Sequence, residues 1–168
     1  ALVAFDRGCG RSAPRGPATR PFGSRTRAGV YGRRATVLEH GVDFAAPDPD
    51  VVERLRHRYS LSGKRVAVTV NHLHPRKRVD LFLRAVHYAA QSGTQITALV
   101  VGGGPEHESL EKLAADLGMQ DGADVVLTGA VVEDELPAHY ALGDVYVHTG
   151  REESCGLYVI EALSLGLP

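Results

Sequence analysis

Short apolar runs alternate with segments of helical period along most of this chain, and that alternation restricts the fold more than any other feature. Arg65-Val66-Ala67-Val68-Thr69-Val70, Ile96 to Val101, Val125-Val126-Leu127 and Asp144-Val145-Tyr146-Val147-His148 read as short buried strands. Between them, Val79, Phe82, Leu83, Val86 and Ala90 follow the i, i+3, i+4, i+7 spacing of an amphipathic helix. Leu110, Leu113, Ala114 and Leu117 define a second helix ended by Gly118, and Glu133 to Leu142 a third. Asp48 and Asp50 ahead of Val51, Val52, Leu55 and Tyr59 predict an earlier helix with acidic residues in its first turn. Strands alternating with helices call for a parallel sheet covered on both faces, an α/β fold of Rossmann-like type. Ligands of such sheets bind beyond the strand C-terminal edges, so the loops that follow the strands are where chemistry is sought.

The most specific of these loops follows the last strand and runs from Arg151 to Pro168. Thr149 and Gly150 break the apolar run. From Gly156 onward Leu157, Ile160, Ala162 and Leu163 are apolar among good helix formers, with Gly166 and Pro168 as the stop. Glu153 therefore lies on the loop, and Glu161 roughly a turn and a half inside the helix. Between them the helix start offers the unpaired amides of Gly156 and Leu157, whose donors and positive dipole end suit a phosphate. A diphosphate there leaves one carboxylate facing each end of the ligand, an arrangement suited to a nucleotide sugar. Two glutamates close to a helix also fit a plain solvated face.

The string Glu153-Ser154-Cys155-Gly156-Leu157-Tyr158-Val159-Ile160-Glu161-Ala162-Leu163-Ser164-Leu165-Gly166-Leu167-Pro168 resembles the E-x7-E signature of retaining glycosyltransferases. It is similar to glycosyltransferase family 4, of the GT-B fold, whose usual form is close to E-G-F-G-L-x-x-x-E-A-x-A-x-G-x-P. Ser154 stands at a usual Gly and Cys155 at a usual Phe. Three further loops extend the likeness. Asn71-His72-Leu73-His74-Pro75-Arg76-Lys77-Arg78 sits against G-R-L-x-x-x-K-G-x-D, with Lys77 and Asp80 in place, Asn71 at the Gly and His72 at the Arg. Its three consecutive cations suit a diphosphate by charge and donors, and equally fit a solvated basic loop. A neutral His72 donates one hydrogen bond but brings no fixed charge, which Arg76 or Arg78 would supply. His72 and His74 have no supporting cluster as metal ligands. Gly102-Gly103-Gly104-Pro105 resembles V-G-x-G-P, where glycine lets backbone approach a ligand closely; it is also an ordinary strand-to-helix turn. Thr128 to Tyr140 resembles G-x-V-x-x-x-E-L-x-x-Y, whose backbone near Val132 meets the nucleobase.

The resemblance implies that residues 41–168 form the nucleotide-sugar-binding, C-terminal half of a GT-B enzyme. It implies transfer of a glycosyl group from a nucleoside-diphosphate sugar, with retention of configuration, to a saccharide, lipid or small-molecule acceptor. Lys77, with His72, would hold the donor phosphates together with the Gly156 and Leu157 amides. Glu153 would be the catalytic carboxylate at the sugar, flanked by Ser154 and Cys155, and Glu161 would hold the ribose. Neither a cofactor nor a metal is implied, because protein cations serve the phosphates. A non-catalytic nucleotide-sugar-binding module or an inactive fragment is the alternative, kept open by Asn71, His72, Ser154 and Cys155. A phosphotransfer receiver would need an acidic cluster after the first strand, where this chain is basic.

Charge and composition add bounds. A net charge of −1 points to neither nucleic acid nor an acidic partner. Residues 1–40 nevertheless carry eight Arg against Asp6 and Glu39, leaving an acidic excess in the remainder. Residues 1–24, rich in Gly, Pro and Arg, read as disordered or as sequence removed from its context. Ser24-Arg25-Thr26-Arg27 reads as a short helix start, Thr36 to His40 as a strand, and Gly41-Val42-Asp43 as a turn. The family likeness makes residues 1–40 the tail of a missing acceptor domain, with peripheral membrane contact assigned to that domain. A start without Met and a stop directly after a helix lead to the expectation of a chain cut short at both ends, binding donor at best by itself. Cys9 and Cys155 read as free thiols of a reducing, cytoplasmic compartment, and no apolar run is long enough to span a membrane.

Overall fold

A computed structural model describes residues 2–5, 35–38, 42, 45–151 and 156–168. The chain divides into two compact units, Ala1–Asp43 with Glu153–Leu157, and Phe44–Glu152 with Tyr158–Pro168. In the first unit, β1 (Leu2–Phe5) pairs antiparallel with β2 (Ala35–Leu38), Leu2 opposite Leu38 and Phe5 opposite Ala35. This corrects the reading of residues 1–24 as disordered at one place. The apolar run Leu2-Val3-Ala4-Phe5 carries strand propensity that the surrounding Gly, Pro and Arg obscured. The helix start read at Ser24 lies outside the described residues, as do Gly41 and Asp43 of the expected turn.

In the second unit the described elements run α1 (Pro49–Arg58), β3 (Val66–Val70), α2 (Val79–Gln91), β4 (Thr97–Val101), α3 (His107–Asp116), β5 (Val125–Leu127), α4 (Leu136–Tyr140) and β6 (Val145–Tyr146). They close with α5 (Leu157–Ser164). Helix α1 begins as its sequence directs. Asp48 caps it by accepting from the Asp50 amide at 2.9 Å, and Pro49 takes a first-turn position where a missing N–H costs nothing. The predicted helix Glu133 to Leu142 is instead a 3₁₀ turn, Glu133–Glu135, followed by the short α4 with Pro137 in its first turn. The proline ring favours a helix start over a helix middle.

Among the described residues the sheet of this unit is four parallel strands in the order β5-β4-β3-β6. Val66 to Val70 lie in register with Thr97 to Val101, and Ala67 and Val68 lie opposite Val145 and Tyr146. Alternation sends Val66, Val68, Val70, Leu99, Val101 and Val126 to one face, where Leu55 of α1, Leu61 just beyond it, Tyr140 of α4 and Ala162 of α5 cover them. Ala67, Ala98, Val100 and Val125 face the other way, under Phe82, Leu83 and Val86 of α2 and Leu110 and Ala114 of α3. A parallel sheet buried on both sides explains why its strands read as continuous apolar runs. Phe82 and Leu99, both fully buried, each stabilise the fold by about 2 kcal/mol through the area removed from water. Among the described residues no helix is long and apolar enough to cross a membrane.

Candidate functional site

The strand order locates a crevice before any side chain is considered. From β3 the chain winds outward to β4 and β5, then returns to lay β6 on the opposite side of β3. The reversal lies between β3 and β6, and the space beyond their C-terminal ends is where doubly wound sheets take ligands. Two loops border it, residues 71–78 after β3 and the segment after β6. They are tied together: Thr149 Oγ1 donates to the Lys77 carbonyl at 3.0 Å, and the Arg151 amide donates to the Arg76 carbonyl at 3.2 Å.

The first loop tightens into a 3₁₀ turn at Pro75–Lys77, and its last residue, Lys77, is only 5% exposed. The Lys77 ammonium lies over the Tyr158 ring, 5.1 Å from its centroid, an electrostatically favourable place for a cation withdrawn from water. Arg78 takes the left-handed conformation, φ 52°, at the position where the resembled pattern has glycine. That conformation costs a side-chain-bearing residue roughly 1–2 kcal/mol. It is accompanied by a two-point contact in which Nε and Nη2 of Arg78 donate to Asp80 at 3.0 and 3.1 Å. The same hydrogen bond holds the Asp80 carboxyl below its usual range. Arg78 is thus engaged with Asp80, while Arg76 and His72 point to solvent. Asn71 is buried; its Nδ2 donates to Thr69 Oγ1 at 2.9 Å, and its Oδ1 has no hydrogen-bond partner among the described residues.

Glu161 of α5 is half-buried, and its Oε2 accepts from the Tyr140 hydroxyl at 2.7 Å. The Tyr158 carbonyl is a weaker second acceptor for that hydroxyl at 3.2 Å. Tyr140 is fully enclosed, and burial first, then the bond to Glu161, pushes its hydroxyl pKa strongly upward, so it stays a donor. Tyr158 therefore stands between Lys77 and Glu161: its ring lies beneath the ammonium and its carbonyl shares the hydroxyl that binds the carboxylate.

Of the residues expected from sequence, these contacts link Lys77 and Glu161, and His72 lies exposed on the Lys77 loop. Gly156 has φ 68° directly before α5, and Leu157 opens that helix. Val132 follows β5 at the other edge of the sheet, is 63% exposed and precedes the 3₁₀ turn, whose Glu135 amide donates to the Val132 carbonyl at 3.1 Å. Glu153, Ser154 and Cys155 lie outside the described residues. Among the described residues no three His, Cys, Asp or Glu side chains gather into a possible metal site. Sequence reasoning passed over Tyr140, Tyr158 and Thr149. Tyr158 lies three residues before Glu161, on the same helix face, and Tyr140 lies one residue beyond His139, where the quoted pattern has its tyrosine; neither spacing by itself marks a site residue.

The glycine turn has a packing role that its sequence did not show. A Cβ on Gly102, whose φ is 129°, would lie 1.9 Å from the Asn71 carbonyl oxygen, and one on Gly104 would lie 2.4 Å from that of Leu73. The backbone that approaches these glycines closely is that of the loop after β3, which also bonds through the Leu73 amide to Gly103 O at 2.9 Å.

Comparison with known proteins shows the family. The family model described as glycosyl transferases group 1 matches residues 52–168. The chain is 38% identical over 153 residues, 84% of its length and 39% of the relative's, to a GDP-mannose-dependent alpha-(1-6)-phosphatidylinositol monomannoside mannosyltransferase of Mycolicibacterium smegmatis. It is 34% identical over 148 residues, 84% of its length and 38% of the relative's, to 2-deoxystreptamine glucosyltransferase of Streptomyces kanamyceticus. The chain thus spans about two fifths of the curated relatives it matches. Among solved structures it resembles Anabaena Alr3699/HepE, crystallised with UDP and glucose, with a TM-score of 0.67 at 23% identity, over 79% of this chain and 36% of that one. The last likeness concerns the fold.

Proposed function

This chain belongs to the group 1 glycosyl transferases, and we propose that it supplies the donor-binding half of an enzyme that transfers a sugar from a nucleoside diphosphate with retention of configuration, as in family 4. The observation that carries the reading is that the buried Lys77 ammonium lies over the ring of Tyr158, whose carbonyl shares the Tyr140 hydroxyl with Glu161. A cation and a carboxylate linked through one tyrosine suit a ligand that is anionic at one place and hydroxylated at another. Lys77 neutralises charge as the diphosphate leaves, a preorganised electrostatic contribution. His72 adds a hydrogen bond, and Glu161 accepts from ribose hydroxyls. The family resemblance assigns a diphosphate contact to the amides of Gly156 and Leu157, and the nucleobase to the backbone near Val132. It assigns the sugar hydroxyls and the developing oxocarbenium charge to Glu153, with Ser154 and Cys155 alongside. The leaving phosphate takes the acceptor's proton, so the step needs no protein base and no metal.

GDP-mannose is the first donor to try, since it is named for the relative of 38% identity. The test is a transfer assay on the full-length gene product with GDP-mannose and UDP-glucose, the product's anomeric configuration being read by NMR. An α-linked product from an α-linked donor supports retention, and a β-linked product rejects it. Glu153→Gln should lower turnover far more than nucleotide affinity. Wild-type turnover in that variant would remove Glu153 from the reaction.

A further inference from the structure

Tyr140 sits where a phenylalanine would fill the core equally well. It is 0% exposed, belongs to the cluster of α1, α4 and α5, and meets the Tyr146 ring at 5.9 Å and 46°. A hydroxyl at such a place is unfavourable unless it is bonded, so its partner gives the reason for its presence. That partner is a carboxylate, Glu161 Oε2 at 2.7 Å, a short charge-assisted bond. The donor and acceptor come from different elements, α4 and α5, and the weaker contact to Tyr158 O fixes the hydroxyl's direction. A glutamate on a helix surface has several rotamers, and ordering them on binding weakens a ligand's hold.

We infer that Tyr140 is a positioning residue for the donor site: it fixes one oxygen of Glu161 and leaves the other presented to the ribose of a nucleoside diphosphate. The inference rests on the ribose role proposed above for Glu161. Burial and the carboxylate together keep the phenol protonated, so it remains a donor whenever Glu161 is charged. Its contribution is made in advance of binding, which distinguishes it from a residue that touches ligand.

The test is calorimetric titration of the full-length protein with GDP, UDP and the 2′,3′-dideoxy counterpart of whichever binds. Wild type, Tyr140→Phe, Glu161→Ala and the double variant are compared. Tyr140→Phe should weaken the ribonucleotide about tenfold, the scale of one hydrogen bond to a charged group, with Tm within a few degrees of wild type. Glu161→Ala should weaken it at least as much. The double variant should be no weaker than Glu161→Ala, because Tyr140 acts only through that carboxylate. The dideoxy nucleotide should bind all four proteins alike. Wild-type affinity in Tyr140→Phe beside a weakened Glu161→Ala overturns the positioning role and leaves the ribose reading standing. An equal further loss in the double variant also overturns it, since Tyr140 would then act through the fold. Unchanged affinity in Glu161→Ala, or no binding of GDP or UDP by folded wild type, overturns the ribose reading and this inference together.

Discussion

Two neighbouring loops on the sheet's C-terminal edge carry motif residues for opposite reasons. The loop after β3 matters for a side chain it holds: Lys77, enclosed and set over Tyr158. The turn Gly102 to Pro105, after β4, matters for side chains it lacks. At Gly102 and Gly104 there is room only for hydrogen, because the backbone at Asn71 and Leu73 lies against them. The glycines shape the loop, and the loop in turn presents the lysine. A motif at a ligand edge therefore has two physical meanings, contact with ligand and contact with the contact-making loop, and spacing alone does not separate them.

The comparison is open to direct attack, beginning with the largest effect. Gly102→Ala should destabilise the fold by about 3 kcal/mol, from a clash with backbone added to an unfavourable φ. A fall in Tm of only a degree or two would break the claim that this turn is a packing device. Lys77→Met should do the reverse. Its apolar stem remains and the charge goes, so Tm should hold or rise, while nucleoside diphosphate binding should weaken on the order of 30-fold. A large Tm loss with intact affinity would make Lys77 a scaffold residue. Gly129→Ala sharpens the first contrast. Gly129 also has positive φ, 69°, but no atom within 4 Å of a built Cβ, so only the conformational cost of about 1 kcal/mol remains.

The smallest effect concerns acid. His139 is enclosed beside the site tyrosine; Nδ1–H donates to Glu135 O at 2.8 Å and Nε2 lies 3.1 Å from the Tyr59 hydroxyl. Burial lowers its pKa below the ordinary 6.5, a loss only partly opposed by the bond to Glu135 and that residue's charge. The unfolded chain then takes up this proton at a higher pH than the folded one does. Stability falls as pH drops through about 6.5 toward the folded value, and levels off below it. In His139→Asn the fall in Tm between about pH 7 and pH 5 should be smaller than in wild type. An identical fall would exclude His139 as a source.

Much of the fold was legible because buried parallel strands need apolar runs on both faces, and the observed strands β3 to β6 fall within the predicted ones. β1 escaped because Leu2-Val3-Ala4-Phe5 is brief and its surroundings are rich in Gly, Pro and Arg. The single helix expected from Glu133 was divided because Pro137 supplies a helix start inside an otherwise helical pattern. In the site, Lys77 and Glu161 were readable as charges on a strand-edge loop and just over a turn inside the following helix. Tyr140 and Tyr158 were not, because a tyrosine among apolar helix positions looks like core in one dimension. Its hydroxyl gains meaning only when α4 and α5 are packed together. The glycine turn was readable as a strand-to-helix turn but not as a packing contact, for the same reason: what approaches a glycine closely is a fact of three dimensions.

The measurement that bears most directly on the central claim is calorimetric titration of the full-length protein with GDP-mannose, GDP and UDP-glucose, each repeated on Lys77→Met and Glu161→Ala. The account predicts saturable binding of one nucleotide, weakened in both variants while both stay folded. Binding that neither substitution affects, or no binding by a folded wild-type protein, would contradict it.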